Sequence, residues 1–310
     1  MKTEFEENIV LRPKHHAILK SAVKMSHASW IYSSIDGLIN SRTANLCGIY
    51  ADNELVSFAW YMQRNLLIND CTYKGLSIGI VTTMPLKRNH GYASKLLKSI
   101  EELARNRELD FLLLAGIPKF YSRLGFEGFA PKSKLIFKRS DLPKTHGSIV
   151  PLEAHHLEMT ASMQSSYAEV ISAFSRRTSS EWKDLLGPLS STFVFYNPMV
   201  VLDDSGYLVA YFCCTPNEPT IIREFVPRLS TELVVTALSV ISNSPQFCTR
   251  ENIEIYAPAK GPVWHAAAKR LGADYISFLR PRSSNMIKWI SASKCIKNFQ
   301  CEFILQGDIL

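Results

Sequence analysis

Between Leu76 and Arg107 the chain changes its period, and that change limits the folds open to it. Leu76 to Thr83 (LSIGIVTT) is a β-rich run that stops at Met84-Pro85, as expected where proline withholds a ladder N–H. From Tyr92 the apolar positions move to helical spacing: Ala93, Leu96, Leu97, Ile100, Leu103 and Ala104 share one face of a helix running to about Arg107. Phe111-Leu-Leu-Leu-Ala then reads as a buried strand, and Lys119 to Leu124 as a short helix closed by Gly125. Strand, amphipathic helix and strand in succession call for an α/β (α+β) fold.

The flanking sequence extends this pattern. Ile9 to Arg12 reads as a strand and Lys14 to Met25 as a helix; Asn45–Ala51 and Leu55–Met62 read as a hairpin turning at Asp52-Asn53-Glu54. Lys132 to Val150, with its lysines, Pro143 and Gly147, reads as a linker. Alternation then resumes. Phe193–Tyr196, Met199–Leu202, Tyr207–Cys213 and Ile253–Tyr256 read as strands, and the stretches through Val234–Ile241 and Val263–Leu271 as helices. A chain of 310 residues has room for two domains. The boundaries expected are 1–140, 141–282 and a C-terminal extension over 283–310.

Composition removes several classes. With 46% apolar and 20% charged residues the chain is not broadly disordered. No apolar run approaches the ~20 residues of a membrane span, and the acidic start lacks a signal-peptide core. The expectation is a cytoplasmic protein without a membrane or nucleic-acid partner, because the net charge of +7 is spread out and forms no basic-aromatic stripe. Seven cysteines, an odd number without a CxxC pair, read as reduced and mostly buried thiols. His15-His16 and the histidines at 155 and 156 lack a partner set at metal-ligand spacing, so no metal is expected.

The chemistry is carried by Ile80 to Ala93 (IVTTMPLKRNHGYA). A helix N-terminus presents N–H groups without internal partners and a partial positive charge, which together favour an anion. Gly91 allows close backbone approach, and Arg88 adds a charged donor fork. On these residues the chain resembles the GNAT superfamily of acyl-CoA-dependent acetyltransferases. That family's pyrophosphate loop reads Arg/Gln-x-x-Gly-x-Gly/Ala, and Arg88-Asn-His-Gly91-Tyr-Ala93 matches its three defined positions. The family's later Phe-Tyr-x-x-x-Gly-Phe is met by Phe120-Tyr121-Ser-Arg-Leu-Gly125-Phe126, and Gly116-Ile-Pro-Lys-Phe-Tyr121 is similar to the tandem-domain, Eis-like branch.

The resemblance implies a role for each residue. Backbone groups of Val81, Thr82 and Thr83 would bind the pantetheine arm of acetyl-CoA like an added strand. The N–H groups of Asn89, His90, Gly91, Tyr92, Ala93 and Ser94, with the Arg88 side chain, would hold its pyrophosphate. Tyr121 would act as general acid toward the departing thiolate. The acceptor implied is the primary amine of a small molecule (aminoglycoside, polyamine or amino-acid-like), with a protein lysine as an alternative. A non-catalytic acyl-CoA sensor is a further alternative, because Ser77 to Thr83 holds no carboxylate to serve as base. Ser77, Asp70 and a C-terminal carboxylate are open candidates for that role. The second half reads as a degenerate copy: Phe225-Val-Pro227 stands where a second loop would begin, yet no glycine occurs from Tyr207 to Lys260. A homo-oligomer is compatible with all of this.

Overall fold

The computed structural model describes residues 2–9, 19–22, 35–68, 71–129, 132–169, 173–187, 198–215, 218–247, 251–257, 262–278 and 284–291. The first half contains β1 (Thr3–Glu6), α1 (Ile35–Asn40), β2 (Asn45–Ala51), β3 (Glu54–Ile68), β4 (Cys71–Thr83), α2 (Tyr92–Asn106), β5 (Phe111–Gly116), α3 (Pro118–Tyr121) and β6 (Glu127–Gly128). The first half ends with β7 (Lys132–Lys138), and the second contains β8 (Gly147–Pro151), α4 (Leu157–Ser165), β9 (Ala173–Arg176), α5 (Ser179–Asp184) and β10 (Met199–Asp203). It continues through β11 (Leu208–Thr215), β12 (Glu218–Pro227), α6 (Thr231–Asn243), β13 (Asn252–Ala257), α7 (Pro262–Arg270), β14 (Asp274–Phe278) and β15 (Ser284–Trp289).

Two mixed sheets result. The first runs β1-β2-β3-β4-β5-β15-β6, with β9 added on β3; the second runs β8-β10-β11-β12-β13-β7-β14. Position by position the two orders correspond, including one parallel pair in each, β4 with β5 and β12 with β13. The connections correspond as well: α2 links β4 to β5, and α6 links β12 to β13. The second half is a structural copy of the first.

The copies exchange a strand. The sixth position of the first sheet is filled from the far end of the chain by β15, whose Ser284 to Trp289 pair antiparallel with Gly116 to Phe111. The matching position of the second sheet is filled from the first half by β7, which pairs with β13 and β14. The stretch 132–150, expected as a linker, therefore supplies two strands, β7 and β8. Its lysines concealed an alternation in which Leu135 and Phe137 are each 1% exposed, while Lys134 pairs with Glu254 at 2.9 Å. Both sheets thus cross the boundaries expected near residues 140 and 282.

Other expectations meet the structure more simply. Asp52 and Asn53 both have positive φ, as a tight two-residue hairpin turn requires. Gly125 closes the turn after α3 at φ 85°. The strand at the start is Thr3–Glu6 and does not include Ile9, while Leu19 to Ala22 are helical as expected. Residues 10–12 and 193–196, expected as strands, lie outside the described residues, as do the remainder of the helix expected at 14–25 and the cysteines at 248, 295 and 301. Of the described cysteines, Cys47, Cys213 and Cys214 are buried free thiols, and Cys71 is exposed.

α2 buries Leu96, Leu97, Ile100 and Ala104 against Leu76, Ile78, Leu112 and Leu114 on one face of the first sheet. On the other face, Phe58, Trp60 and Met62 share a core with Trp182 and Tyr211 of the second half. Buried ion pairs run through this shared core. Arg64 of β3 pairs with Glu181 of α5, and Arg177 grips Glu224 of β12 through two hydrogen bonds of 2.7 and 3.1 Å. Each partner is 6% exposed or less, so removing one side would strand a buried charge at a cost of ~3–5 kcal/mol.

Candidate active site

β4 loses one neighbour halfway along its length. It pairs in parallel with β5 from Gly75↔Phe111 to Ile78↔Leu114 and no further. Its other edge stays on β3 to the end, with Phe58 opposite Thr82 and Ser57 opposite Thr83. The cause is a bulge. Between Gly79 and Thr82 β4 carries one more residue than β3, and Ile80 takes a φ of 53°, a left-handed conformation costly for a β-branched side chain. Beyond the bulge β4 no longer pairs with β5, which leaves a gap along the edge from Gly79 to Thr83, where no strand is paired among the described residues. Ser57 fixes the rim, its hydroxyl donating to the Thr82 carbonyl at 3.1 Å and meeting the Thr83 hydroxyl at 3.0 Å.

The gap leads into the loop before α2. Arg88 folds back to donate from Nε to the Thr83 carbonyl at 3.3 Å, which ties the loop to the strand end. Asn89 and Gly91 both have positive φ, 64° and 77°. Gly91 is the N-cap of α2, which has no side-chain cap hydrogen bond and no acidic residue in its first turn. A Cβ on Gly91 would meet nothing within 4 Å, so the space above it is open. Arg88, Asn89, His90 and Gly91 are exposed, Ala93 and Ser94 half-buried, and Tyr92 buried, with its ring 6.1 Å from that of His90. An uncapped helix N-terminus beside an arginine is an anion-binding arrangement.

The second copy closes the same place. Ser230 caps α6 by accepting from the Leu233 N–H, and Glu232 lies in the first turn. A backbone hydrogen bond and the Ser230 hydroxyl hold that carboxyl below its ordinary range. A helix start already occupied by a carboxylate repels a second anion.

Tyr121 packs against the end of β5. β5 ends at Gly116, and a Cβ there would fall 2.1 Å from the Tyr121 ring. Gly116 is thus what allows the ring to lie flat on the strand end. Phe120 and Phe126 meet the ring edge-on at 4.9 and 5.9 Å. Burial pushes the phenol up to about 12, so it keeps its proton throughout the neutral range. Among the described residues its hydroxyl has no hydrogen-bond partner.

The candidate bases fare differently. Ser77 is fully buried, opposite Met62 and Leu113. Residue 70 and the C-terminus lie outside the described residues. Ser57, Gly116 and the Ile80 bulge were not assigned roles from sequence. Ser57 acts through strand pairing, and no local pattern marks it. Gly116 could have been suspected from its place in Gly116-Ile-Pro-Lys-Phe-Tyr121. Among the described residues no group of three or more His, Cys, Asp or Glu could hold a metal ion, and no helix is long and apolar enough to cross a membrane.

A sheet edge left unpaired on β4, next to an uncapped helix start, can hold an extended anionic ligand. Residues 34–129 match the family model of an acetyltransferase (GNAT) domain. That segment of the chain is therefore an acetyltransferase (GNAT) domain. The whole fold is similar to solved structures at low identity. A probable N-acyltransferase from Enterococcus faecalis V583, described as a conserved protein of unknown function, is 14% identical with a TM-score of 0.64, over 94% of this chain and 73% of that one. A GCN5-related N-acetyltransferase from Kribbella flavida is 12% identical with a TM-score of 0.65, over 93% and 72%. Eis1 from Mycobacterium abscessus is 15% identical with a TM-score of 0.59, over 93% and 74%. No curated protein sequence matches the chain.

Proposed function

We propose that the protein transfers an acetyl group from acetyl-CoA to the primary amine of a small molecule in the cytoplasm, and that its tandem architecture places it with the Eis-like branch. The observation that carries this reading is the open edge of β4 running directly into the uncapped start of α2. Together they offer strand-like hydrogen bonds for a pantetheine arm and N–H donors for a pyrophosphate. In this reading Val81, Thr82 and Thr83 hold the arm. Arg88 and the backbone of Asn89 to Ser94 hold the anion, and their fixed geometry supplies positioning without a covalent enzyme intermediate.

The neutral amine attacks the thioester carbonyl, forming the C–N bond as the C–S bond breaks. Tyr121 donates its phenolic hydrogen toward the departing sulfur. A phenol kept protonated by burial is a reliable donor there, and it supports the growing negative charge before the proton passes. The amine's own proton leaves to water or to a base that the described residues do not supply.

The test is calorimetric titration with acetyl-CoA of the wild type and of Gly91→Glu. Binding by the wild type alone supports the loop assignment; binding by both, or by neither, refutes it. A second reading, an acyl-CoA sensor without chemistry, is favoured by the absence of a carboxylate from Ser77 to Thr83. Tyr121→Phe decides between them. A catalyst should lose roughly 10²-fold or more in kcat while binding acetyl-CoA normally, whereas a sensor shows no turnover to lose.

A further inference from the structure

Lys288 lies on β15, the strand brought in from the far end of the chain, yet it reaches the elements around Tyr121. Its ammonium donates to Glu101 Oε2 on α2 at 2.6 Å and to the Leu124 carbonyl at 2.8 Å. Glu101 is also held by Arg105 at 2.7 Å. Burial alone would push the Glu101 carboxyl up, but hydrogen bonds from Lys288 and Arg105 outweigh it and hold the group below its ordinary range. Glu101 is therefore a fixed anion, and Lys288 a fixed cation between it and the turn. The Lys288 stem passes close over Gly125, where a Cβ would sit 3.3 Å from its Cε.

From Leu124 the connection to Tyr121 is short. Leu124 ends the one-turn helix Ser122–Leu124 that directly follows Tyr121. Two residues on, Phe126 donates its N–H to the Tyr121 carbonyl at 3.3 Å and places its ring against the Tyr121 ring. The geometry points to Lys288 as a positioning residue for Tyr121: a cation lent by the exchanged strand that clamps the catalytic turn to the cofactor helix. This inference rests on the catalytic reading of Tyr121 given above. It also gives the exchange of strands a consequence for activity, since the clamp on the first copy's turn arrives with the last described strand of the chain.

The experiment is a double-mutant cycle on kcat using Lys288→Met, Tyr121→Phe and the pair, with acetyl-CoA affinity and thermal unfolding measured for each. Lys288→Met keeps the stem and removes the donor. It should lower kcat by roughly 10–100-fold, as expected for a displacement of about 1 Å at a reacting group. Acetyl-CoA affinity should stay within about threefold, because the Arg88–Ser94 loop is untouched and α2 keeps its buried face. In the Tyr121→Phe background the same change should cost less than about twofold, because the residue being positioned has gone. Additive losses in the double variant would overturn the inference, as would an unchanged kcat in Lys288→Met. If Lys288→Met does not fold, Lys288→Arg, which keeps the charge but not the point geometry, carries the same cycle with a smaller loss. A wild type that binds acetyl-CoA but turns over no amine would instead refute the catalytic reading, a result distinguishable from additivity.

Discussion

Ile287 offers a direct test of the strand exchange. It is 1% exposed on β15 and packs with Leu66, Phe111, Leu113 and Phe129 of the first half. Ile287→Ala deletes three carbons from this cluster, a transfer loss of ~2.4 kcal/mol at ~0.8 kcal/mol per carbon, and the cavity brings the total to ~3–5 kcal/mol. Leu135, 1% exposed on β7, is its counterpart in the second sheet, and Leu135→Ala should cost a similar amount. Because each sheet contains a strand of the other half, neither half can lose its fold while the other keeps a complete sheet. Unfolding should be one cooperative event. With an unfolding entropy of about 2.1 cal/mol/K per residue, a chain of 310 residues should drop in Tm by about 5–8 °C for either variant. Calorimetry, with far-UV circular dichroism as a second probe, would read this. Two resolved transitions, one moved by Ile287→Ala and the other by Leu135→Ala, would refute the reasoning, because they would show halves that melt independently.

Two further outcomes follow from the site and the core. Gly116→Ala places a methyl group where the Tyr121 ring lies, so kcat should fall roughly 10–100-fold with acetyl-CoA affinity nearly unchanged; parallel kinetics and titration would show it, and a normal kcat would mean the ring's seat on β5 is unimportant. Stability should also fall at high pH. Burial pushes the Cys47 thiol and the Tyr121 phenol up to about 12, and raises Tyr167, Tyr211 and Cys213 as well. These groups hold their protons more tightly folded than unfolded, so their contribution is complete below their ordinary values and is lost as the pH rises above them. Each removes ~1.4 kcal/mol per pH unit once above its unfolded value. Urea midpoints should therefore decline from about pH 9 upward, and more gently in Cys47→Ala; a flat profile to pH 11 would contradict the assignment.

Much of the local structure was legible because it rests on short-range physics. The period change at Tyr92 marked α2 to within a residue, since helical spacing of Leu96, Leu97 and Ile100 is needed to bury one face. Asp52-Asn53 read as a turn because such residues tolerate positive φ. The loop from Arg88 to Ala93 was legible because its spacing resembles the GNAT pyrophosphate loop, and Gly91 takes the positive φ that glycine favours. The absence of glycine from 207 to 260 likewise foretold a second copy without an open loop, and the Ser230 and Glu232 caps give the molecular form of that closure.

Assembly was decided elsewhere. A ladder hydrogen bond is the same in any sheet, so the alternation in β7 or β15 says that each is a strand but not which sheet completes it. That choice depends on where two open positions lie in space once both copies have formed. The gap beside β4 begins at Ile80, in a backbone state its sequence disfavours, where the pairing with β3 shifts by one residue. Lys288 meets Glu101, 187 positions away, only because the exchange carries it there. Backbone period and turn chemistry were thus determined by neighbours in sequence. The seating of Tyr121, the open edge and the partnership of the two halves were decided by long-range packing, whose partners no local pattern names.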